Sequence, residues 1–353
     1  MAIPSFLEDL LTATGPSGYE TPAAEVWRES ARSFAQEVTS DTVGSSVARV
    51  AADGDASPLM GLVGHIDEIG LVVKHITDEG VLRFGTIGGW DPQILVGQRV
   101  SVHTATGLVP GVVGRKPIHL LDEDDRKQVA KFEQMYIDIG AASRDDAARL
   151  VALGDPAVIA AQPVELANGR IASKAMDNRL GAYIVLEAAR RVAAEGGTHW
   201  GVAAVAAAQE ETTFAGARTT AFALDLRACI VVDVTFASDV PDSDVAKAGE
   251  AKLGHGVQIS RGANLHPRMA ELLMETAEAE NIPYSVAVPG RTSGTDADAI
   301  HFARAGVPCG LVSVPLRYMH SPVETVQLAD VEHAIELLAA TCQRMDPAED
   351  FRR

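Results

Sequence analysis

Residues 201–211, GVAAVAAAQEE, form an uninterrupted run of small apolar residues that ends in two adjacent carboxylates. A run without polar alternation predicts a strand that is buried on both faces, as in a parallel sheet. Because successive side chains of a strand point to opposite faces, we expect Glu210 and Glu211 to take different roles, one holding a cation and the other acting on a nearby water. The alternative is a strand that simply ends in solvent.

Strands and helices alternate on both sides of this run, except in one central segment. This alternation predicts an α/β fold with a mainly parallel sheet and helices on both of its faces. The other strands predicted for this sheet comprise residues 43–50, 59–64, 228–232, 284–288 and 311–314, and a turn is predicted at residues 53–55. The predicted helices comprise residues 4–13, 21–34, 177–196, 267–280, 296–304 and 331–345.

The central segment, residues 68–163, consists of short β-like runs separated by glycine-containing turns. The runs comprise residues 71–76, 81–84, 98–103, 108–113 and 135–139. Short strands without a long helix predict a small barrel or sandwich. We therefore expect a catalytic domain made of residues 1–67 and 164–353, with a small β-barrel domain, residues 68–163, inserted into it. The charged patch at residues 121–131 predicts an exposed loop within this insert.

The charge and cysteine content of the 353-residue chain bear on its partners and compartment. The formal net charge of −18 argues against nucleic acid or an anionic membrane as a partner, since both require basic surfaces. Three widely spaced cysteines, Cys229, Cys309 and Cys342, are expected to be buried, reduced thiols. The N-terminal residues do not resemble a signal peptide, and no run reaches the ~18 apolar residues of a membrane helix. We therefore expect a cytoplasmic location.

Metal-binding residue types follow the predicted strands or begin a predicted helix. Ligands of open α/β sheets bind at the carboxyl ends of the strands, so these residues are expected to meet. Two histidines, two aspartates and a glutamate suit Zn²⁺, Co²⁺ or Mn²⁺. Five ligands exceed the roughly three of a catalytic zinc, but they fit two ions about 3.5–4 Å apart that share a carboxylate. The five residues are His65, Asp177, Asp233, His320 and one of the adjacent pair Glu210 and Glu211.

Six stretches, taken together and in order, resemble the M42 family of dinuclear metallo-aminopeptidases, which includes the glutamyl aminopeptidases and the tetrahedral TET peptidases. They are GHIDEIG (64–70), SKAMDNRLG (173–181), AAAQEE (206–211), VVDVT (231–235), SGTDADAI (293–300) and LRYMHSPVE (316–324). None is decisive alone. The resemblance extends over nearly the whole chain, including GTIGGWDPQILVGQRV and YIDIGAAS within the expected insert.

The resemblance implies two divalent metal ions, Zn²⁺ or alternatively Co²⁺ or Mn²⁺, that share one protein ligand. Asp177 would bridge the two ions. His65 and Asp233 would complete one site, and Glu211 and His320 would complete the other. The same resemblance predicts a cis peptide bond between Asp177 and Asn178.

The resemblance also implies the catalytic roles of two carboxylates beside these ligands. Glu210 would act as general base and then as general acid, transferring a proton from the attacking water to the leaving amine. Asp67 would accept a hydrogen bond from the free imidazole nitrogen of His65. Thr295 and Asp296 are expected near the substrate, although a helix N-cap explains both residues almost as well.

The implied substrates are short peptides with a free N-terminus, and the implied assembly is a homo-oligomer. The inserted domain would form dimers, and six dimers would close into a hollow tetrahedral dodecamer; a plain dimer is the alternative. Arg291 and Arg317 could attract an acidic substrate side chain or form surface salt bridges. The sequence leaves the preferred N-terminal residue open.

Three other functions compete with the aminopeptidase. A deacetylase or an N-acyl amino acid amidohydrolase could use the same metal ligands. A glycosidase of the endoglucanase type fits poorly, since its two acids must stand about 5–10 Å apart across a bond, whereas Glu210 and Glu211 are adjacent. A non-catalytic assembly protein is disfavoured by the complete set of ligands.

Overall fold

The computed structural model describes residues 2–50, 58–243, 245–346 and 348–352; a turn predicted at residues 53–55 lies outside them. The amino-terminal part contains two helices and three strands. These elements are α1 (Ser5–Thr12), α2 (Thr21–Arg32), β1 (Glu37–Ser40), β2 (Ser46–Val50) and β3 (Leu59–His65).

The next part of the chain is rich in strands, with short helices between them. Its strands are β4 (Gly70–Ile76), β5 (Leu82–Ile87), β6 (Arg99–Thr104), β7 (Gly107–Arg115), β8 (Met135–Asp138) and β9 (Pro156–Ile159). Its short helices are α3 (Pro92–Leu95), α4 (Glu123–Arg126) and α5 (Arg144–Ala148). Single 3₁₀ turns lie at Ile118–Leu120 and Phe132–Gln134.

The remaining part returns to alternating strands and helices. Its strands are β10 (Val164–Leu166), β11 (Arg170–Ser173), β12 (Gly201–Ala207), β13 (Ala228–Phe236), β14 (Val257–Ser260), β15 (Tyr284–Ala287), β16 (Cys309–Leu316) and β17 (Glu324–Gln327). Its helices are α6 (Met176–Ala194), α7 (Glu210–Thr213), α8 (Ala215–Leu224), α9 (Val245–Ala248), α10 (Pro267–Glu280), α11 (Ala297–Ile300) and α12 (Leu328–Arg344).

Eight strands form the central sheet in the order β1-β2-β12-β3-β13-β16-β14-β15. The four central strands β12, β3, β13 and β16 run parallel, and antiparallel strands join them on both sides. Alternate residues of these strands pack under α1, α2, α6, α10 and α12 on one face and under α8 and α11 on the other. The structure thus confirms the predicted α/β fold with a mainly parallel sheet. Strands β1 and β14 were not predicted.

Helix α6 lies unusually close to β3 because both elements carry glycine at the contact. A Cβ atom on Gly64 would stand 2.4 Å from the backbone carbonyl carbon of Gly181, far inside van der Waals contact. Only glycine at position 64 permits this approach. Since Gly64 immediately precedes His65 and Asp177 lies at the start of α6, the contact brings these two side chains together.

The strand-rich part forms a closed antiparallel barrel in the order β4-β5-β8-β7-β6-β9, with an apolar core of its own that includes Leu71, Val100 and Ile137. The barrel confirms the predicted small β-structure, although β9 was not predicted. The patch at residues 121–131 is largely exposed, as expected, but it contains the helical turn α4 rather than loop alone.

A second, three-stranded sheet, in the order β10-β11-β17, was not predicted either. Its strands have only three or four residues, too few for a recognisable hydrophobic pattern. Strand β11 leads into α6, and β17 follows the loop that carries His320. The small sheet therefore supports two segments of the predicted metal centre.

A buried ion group joins α1, the segment after β3 and α6. The Glu68 carboxylate lies 2.8 Å from both Lys174 Nζ and the Arg179 guanidinium, and all three side chains are buried. Arg179 also donates a 2.8 Å hydrogen bond to the carbonyl oxygen of Leu10. Burial lowers the pKa of Lys174 to about 8 despite the nearby Glu68 carboxylate.

Replacement Glu68→Ala is expected to cost about 3–5 kcal/mol of unfolding free energy, because it leaves two buried cations without their anion. Urea unfolding followed by circular dichroism measures the loss. The control is Glu123→Ala, which breaks an exposed pair with Lys127 and should change stability little. Equal losses in the two variants would contradict this account of the buried group.

None of the helices in the described ranges is long and apolar enough to span a membrane. Cys229, Cys309 and Cys342 are buried and free of disulfide bonds, as predicted.

Candidate metal centre

The five predicted ligands and Glu210 converge where the central parallel strands end. They arise from the last residue of β3, the interior of β13, the starts of α6 and α7, and the loop between β16 and β17. Three groups of side chains each place ligand atoms within 4.8 Å of one another: His65 with Asp177 and Asp233, Asp177 with Glu211 and His320, and His65 with Glu210 and Glu211.

Asp177 lies between the two histidines and turns one carboxylate oxygen to each. Its Oδ1 stands 3.3 Å from Nε2 of His65, and its Oδ2 stands 3.3 Å from Nε2 of His320. Glu211 Oε1 lies 3.2 Å from the same His320 nitrogen. One carboxylate shared by two ligand groups is the arrangement of a two-metal site. The peptide bond between Asp177 and Asn178 is cis, as predicted.

The electrostatics of the centre fit divalent cations. Burial raises the pKa of Glu210 to about 10 and holds the pKa of Asp233 well above its ordinary value. Burial also favours the protonated form of Asp177, yet hydrogen bonds from His320 and His65 bring its pKa below the usual range. Several carboxylates therefore share a buried space with two imidazoles. Divalent cations would stabilise their charged forms, so the residues present fit metal ions.

Both histidines direct Nε2 towards the centre, and a hydrogen bond at Nδ1 accounts for this orientation in His320. His320 Nδ1 lies 2.7 Å from the carbonyl oxygen of Gly89. A carbonyl only accepts hydrogen bonds, so Nδ1 carries the proton and Nε2 keeps a lone pair for a metal. Gly89 lies between β5 and α3, so the barrel contributes to the centre, which was not predicted. His65 Nδ1 faces Asp67 Oδ1 at 3.3 Å, a contact too poorly aligned to count as a hydrogen bond.

Asp67 has a larger role than the predicted contact with His65. Its two carboxylate oxygens accept hydrogen bonds of 3.1 Å from the backbone N–H groups of Glu210 and Glu211. The hydroxyl of Ser17 donates to the same carboxylate. Asp67 thus fixes the backbone that carries both glutamates.

The expected position of the two glutamates on a strand is wrong. Strand β12 ends at Ala207, the backbone turns at Gln209 with φ +59°, and Glu210 begins helix α7. The backbone N–H groups of Glu210 and Glu211 donate hydrogen bonds to the Asp67 carboxylate instead of pairing with a neighbouring strand. The two side chains still contact different histidines: Glu210 Oε2 lies 3.7 Å from His65 Nε2, whereas Glu211 faces His320.

A cavity of about 690 Å³ opens beside the ligands. Its other walls include Thr235, Gln258, Ser260, Val286, Ser313 and Met319. Thr295 also lines the cavity, as expected of a residue near the substrate. Its hydroxyl accepts a hydrogen bond from the backbone N–H of Ala297, as expected of a helix N-cap. The structure is therefore compatible with both predicted roles of Thr295. Asp296 is buried, and its side chain does not cap α11.

The two arginines considered for an acidic substrate do not line this cavity. Arg317 is paired with Asp239 at 2.7 Å, which favours the salt-bridge alternative. Arg291 is exposed.

Comparison with known proteins agrees with this geometry. The sequence profile of the M42 glutamyl aminopeptidase family matches residues 44–337. The chain belongs to the M42 family. It is 33% identical to the lysyl aminopeptidase of Pyrococcus furiosus, over 97% of each chain.

Solved structures of M42-like peptidases share the fold. The TET aminopeptidase of Thaumarchaeota archaeon SCGC AB-539-E09 superposes with a TM-score of 0.92 and 35% identity, covering 97% of this chain and 96% of the other. The TET1 peptidase of Pyrococcus horikoshii, which can assemble into a tetrahedron or a large octahedral shell, gives 0.85 at 30% identity, with 97% and 99% covered. This M42 protein is therefore a metal-dependent aminopeptidase, and the family implies a dinuclear centre.

Two residues of the M42 centre escaped sequence reasoning. Gly89, whose carbonyl oxygen contacts His320, lies in the stretch GTIGGWDPQILVGQRV, which was noted only for its resemblance to the M42 family. Glu324 lies within the motif LRYMHSPVE, yet its buried carboxylate contacts the backbone of two ligand segments. The motif marks the position of Glu324, but nothing in the sequence indicates which N–H groups it meets.

Proposed function

We propose that this aminopeptidase removes N-terminal residues from short peptides at two divalent ions, Zn²⁺ or alternatively Co²⁺ or Mn²⁺. The observation that carries the proposal is the position of Asp177, whose two oxygens face the two histidines at 3.3 Å. His65 and Asp233 would hold one ion, Glu211 and His320 would hold the other, and the Asp177 carboxylate would be shared by both. Bound ions of this kind polarise a carbonyl and lower the pKa of water.

In the proposed reaction Glu210 moves the proton. Its carboxylate takes a proton from the attacking water and returns it to the leaving amine as the peptide bond breaks. Asp67 keeps Glu210 in place through the backbone N–H group of that residue. The free α-amino group of the peptide would lie against the acidic side of the cavity, which includes Glu211 and Asp233.

The test is a panel of unblocked and N-acetylated aminoacyl substrates, assayed with added Zn²⁺ or Co²⁺ and with a chelator. We expect the cleavage of unblocked substrates to require metal. The kcat/KM of the acetylated substrates should be lower by a factor of about 100 or more, as for a site that binds one polar group of its substrate. Preferred cleavage of the acetylated substrates would favour the deacetylase or amidohydrolase. Turnover of cellulose in chelator would favour the glycosidase.

We also propose that residues 68–163 form an inserted oligomerisation domain on a catalytic domain of residues 1–67 and 164–353. Large apolar side chains of this segment are exposed, as expected of a surface that binds another subunit; they include Leu108, Val112, Ile118, Leu120 and Val129. A tetrahedral dodecamer would enclose the active sites, and the TET1 peptidase can assemble into a tetrahedron. The three buried cysteines are free thiols, and a reducing, cytoplasmic location would keep them in this form.

Light scattering on the metal-loaded protein tests the assembly. Twelve times the chain mass of 37.2 kDa is about 446 kDa, and this is the mass we expect for the main species. A single species of about 74 kDa, twice the chain mass, would contradict the dodecamer and leave the aminopeptidase unaffected.

A further inference from the structure

Glu324 is a buried carboxylate at the junction of two ligand-bearing segments. It begins β17 and lies opposite Ser173, the last residue of β11, in the small sheet. One of these strands leads towards Asp177, and the other follows the His320 loop. The Glu324 side chain is 2% exposed, so its carboxyl group is enclosed by protein.

Each oxygen of Glu324 accepts a hydrogen bond from the backbone N–H of a different ligand residue. Oε2 lies 3.1 Å from the N–H of Asp177, and Oε1 lies 2.7 Å from the N–H of His320. One rigid group therefore fixes the backbone of the shared ligand relative to the backbone of a histidine from a distant part of the chain.

The two segments need such a support more than the other ligands do. His320 adopts a left-handed conformation with φ +59°, in a loop where Tyr318 also has φ +64°. A non-glycine residue persists in this region only when its surroundings hold it there. By contrast, His65 and Asp233 belong to central strands of the sheet, β3 and β13, whose ladders fix their backbones.

We propose that Glu324 is a positioning residue for the second metal site, the one formed by Glu211, His320 and the shared Asp177. It contacts no reacting atom; it acts by holding two ligand backbones at a fixed separation. Loss of this support weakens the second site more than the site of His65 and Asp233. The inference rests on the proposed two-metal function.

The competing explanation is that Glu324 only stabilises the fold. A second buried carboxylate, outside the cavity beside the candidate ligands, distinguishes this explanation from the positioning role. Asp330 is also fully buried, and its oxygens accept hydrogen bonds of 2.7 and 2.8 Å from the backbone N–H groups of Gly254 and Gly256. It lies outside the residues that line the cavity beside the ligands. Asp330→Asn therefore removes the same kind of interaction without touching the metal centre.

The experiment measures Zn²⁺ binding to the metal-free full-length protein by calorimetric titration. The variant Glu324→Gln keeps the size of the side chain but replaces one acceptor with a donor that opposes a backbone N–H. We expect the wild type and Asp330→Asn to bind two ions per chain. Glu324→Gln should bind the first ion normally and the second ion ~10–100-fold more weakly, the usual effect of losing a group that orients a ligand.

A second variant keeps the test decisive if Glu324→Gln does not fold. Glu324→Asp retains both acceptor oxygens but is one methylene too short to reach both N–H groups, and it should weaken the second ion in the same way. Wild-type affinity for both ions, or equal weakening of both, would overturn the positioning role. A wild-type protein that binds fewer than two ions would instead overturn the proposed two-metal function.

Discussion

Glu210→Gln is expected to bind metal as the wild type does and to lose ~10²–10⁴-fold in kcat, the usual range for a general acid–base group. The amide has nearly the shape of the carboxylate but cannot accept the proton of the attacking water. Glu210 begins α7 beside His65, whereas the ligands of the proposed sites are other side chains. The measurement is kcat on an unblocked aminoacyl substrate, together with metal analysis of the same sample.

The control for this variant is Glu332→Gln, an exposed glutamate on α12 that pairs with Arg191. It should retain full activity and metal. If Glu210→Gln kept more than a tenth of wild-type kcat, Glu210 could not be the proton carrier. Loss of metal from Glu210→Gln would instead assign Glu210 as a metal ligand. The geometry also allows that role, because Glu210 forms a possible ligand group with His65 and Glu211.

Asp177→Ala is expected to lose both metal ions and all measurable activity, because one of its carboxylate oxygens faces His65 and the other faces His320. The matched comparison is Asp233→Ala, which removes a ligand from one proposed site and should retain about one ion per chain. Metal analysis after dialysis of the loaded proteins measures both. The shared-ligand role would be refuted by two ions remaining on Asp177→Ala.

The convergence of the candidate ligands could be predicted because strand burial and the positions of metal-binding residue types are both visible in sequence. Buried parallel strands are continuous apolar runs, and a charged residue at the end of such a run is conspicuous. His65 at the end of β3 and Asp233 within β13 were found in this way. Their meeting follows from the rule that parallel strands present their carboxyl ends at one edge of the sheet. The family resemblance added the division of the ligands between two ions.

The backbone around Glu210 could not be predicted from the same pattern. The apolar run continues to Ala208, so periodicity alone extends the strand to the glutamates. The strand ends at Ala207 because Asp67, from the end of another strand, takes the N–H groups of Glu210 and Glu211. Contacts between residues far apart in the chain override local propensity, and a single sequence does not display them.

Glu324 and Gly89 were missed for a related reason. Both act through backbone groups: Glu324 accepts from the N–H groups of Asp177 and His320, and Gly89 offers its carbonyl to His320. Every residue type except proline carries the same backbone donor and acceptor, so a sequence gives no indication of such partners. Short strands such as β11 and β17, which position these contacts, have too few residues to show a pattern.

Titration of the metal-free enzyme with Zn²⁺ or Co²⁺, with activity on an unblocked peptide followed at each addition, tests the two-metal aminopeptidase most directly. We predict no cleavage without metal and a rise in activity that reaches its maximum when two ions are bound per chain. The N-acetylated form of the same peptide should remain uncleaved throughout. Full activity in the presence of a chelator, or a maximum reached with one ion bound, would contradict the account.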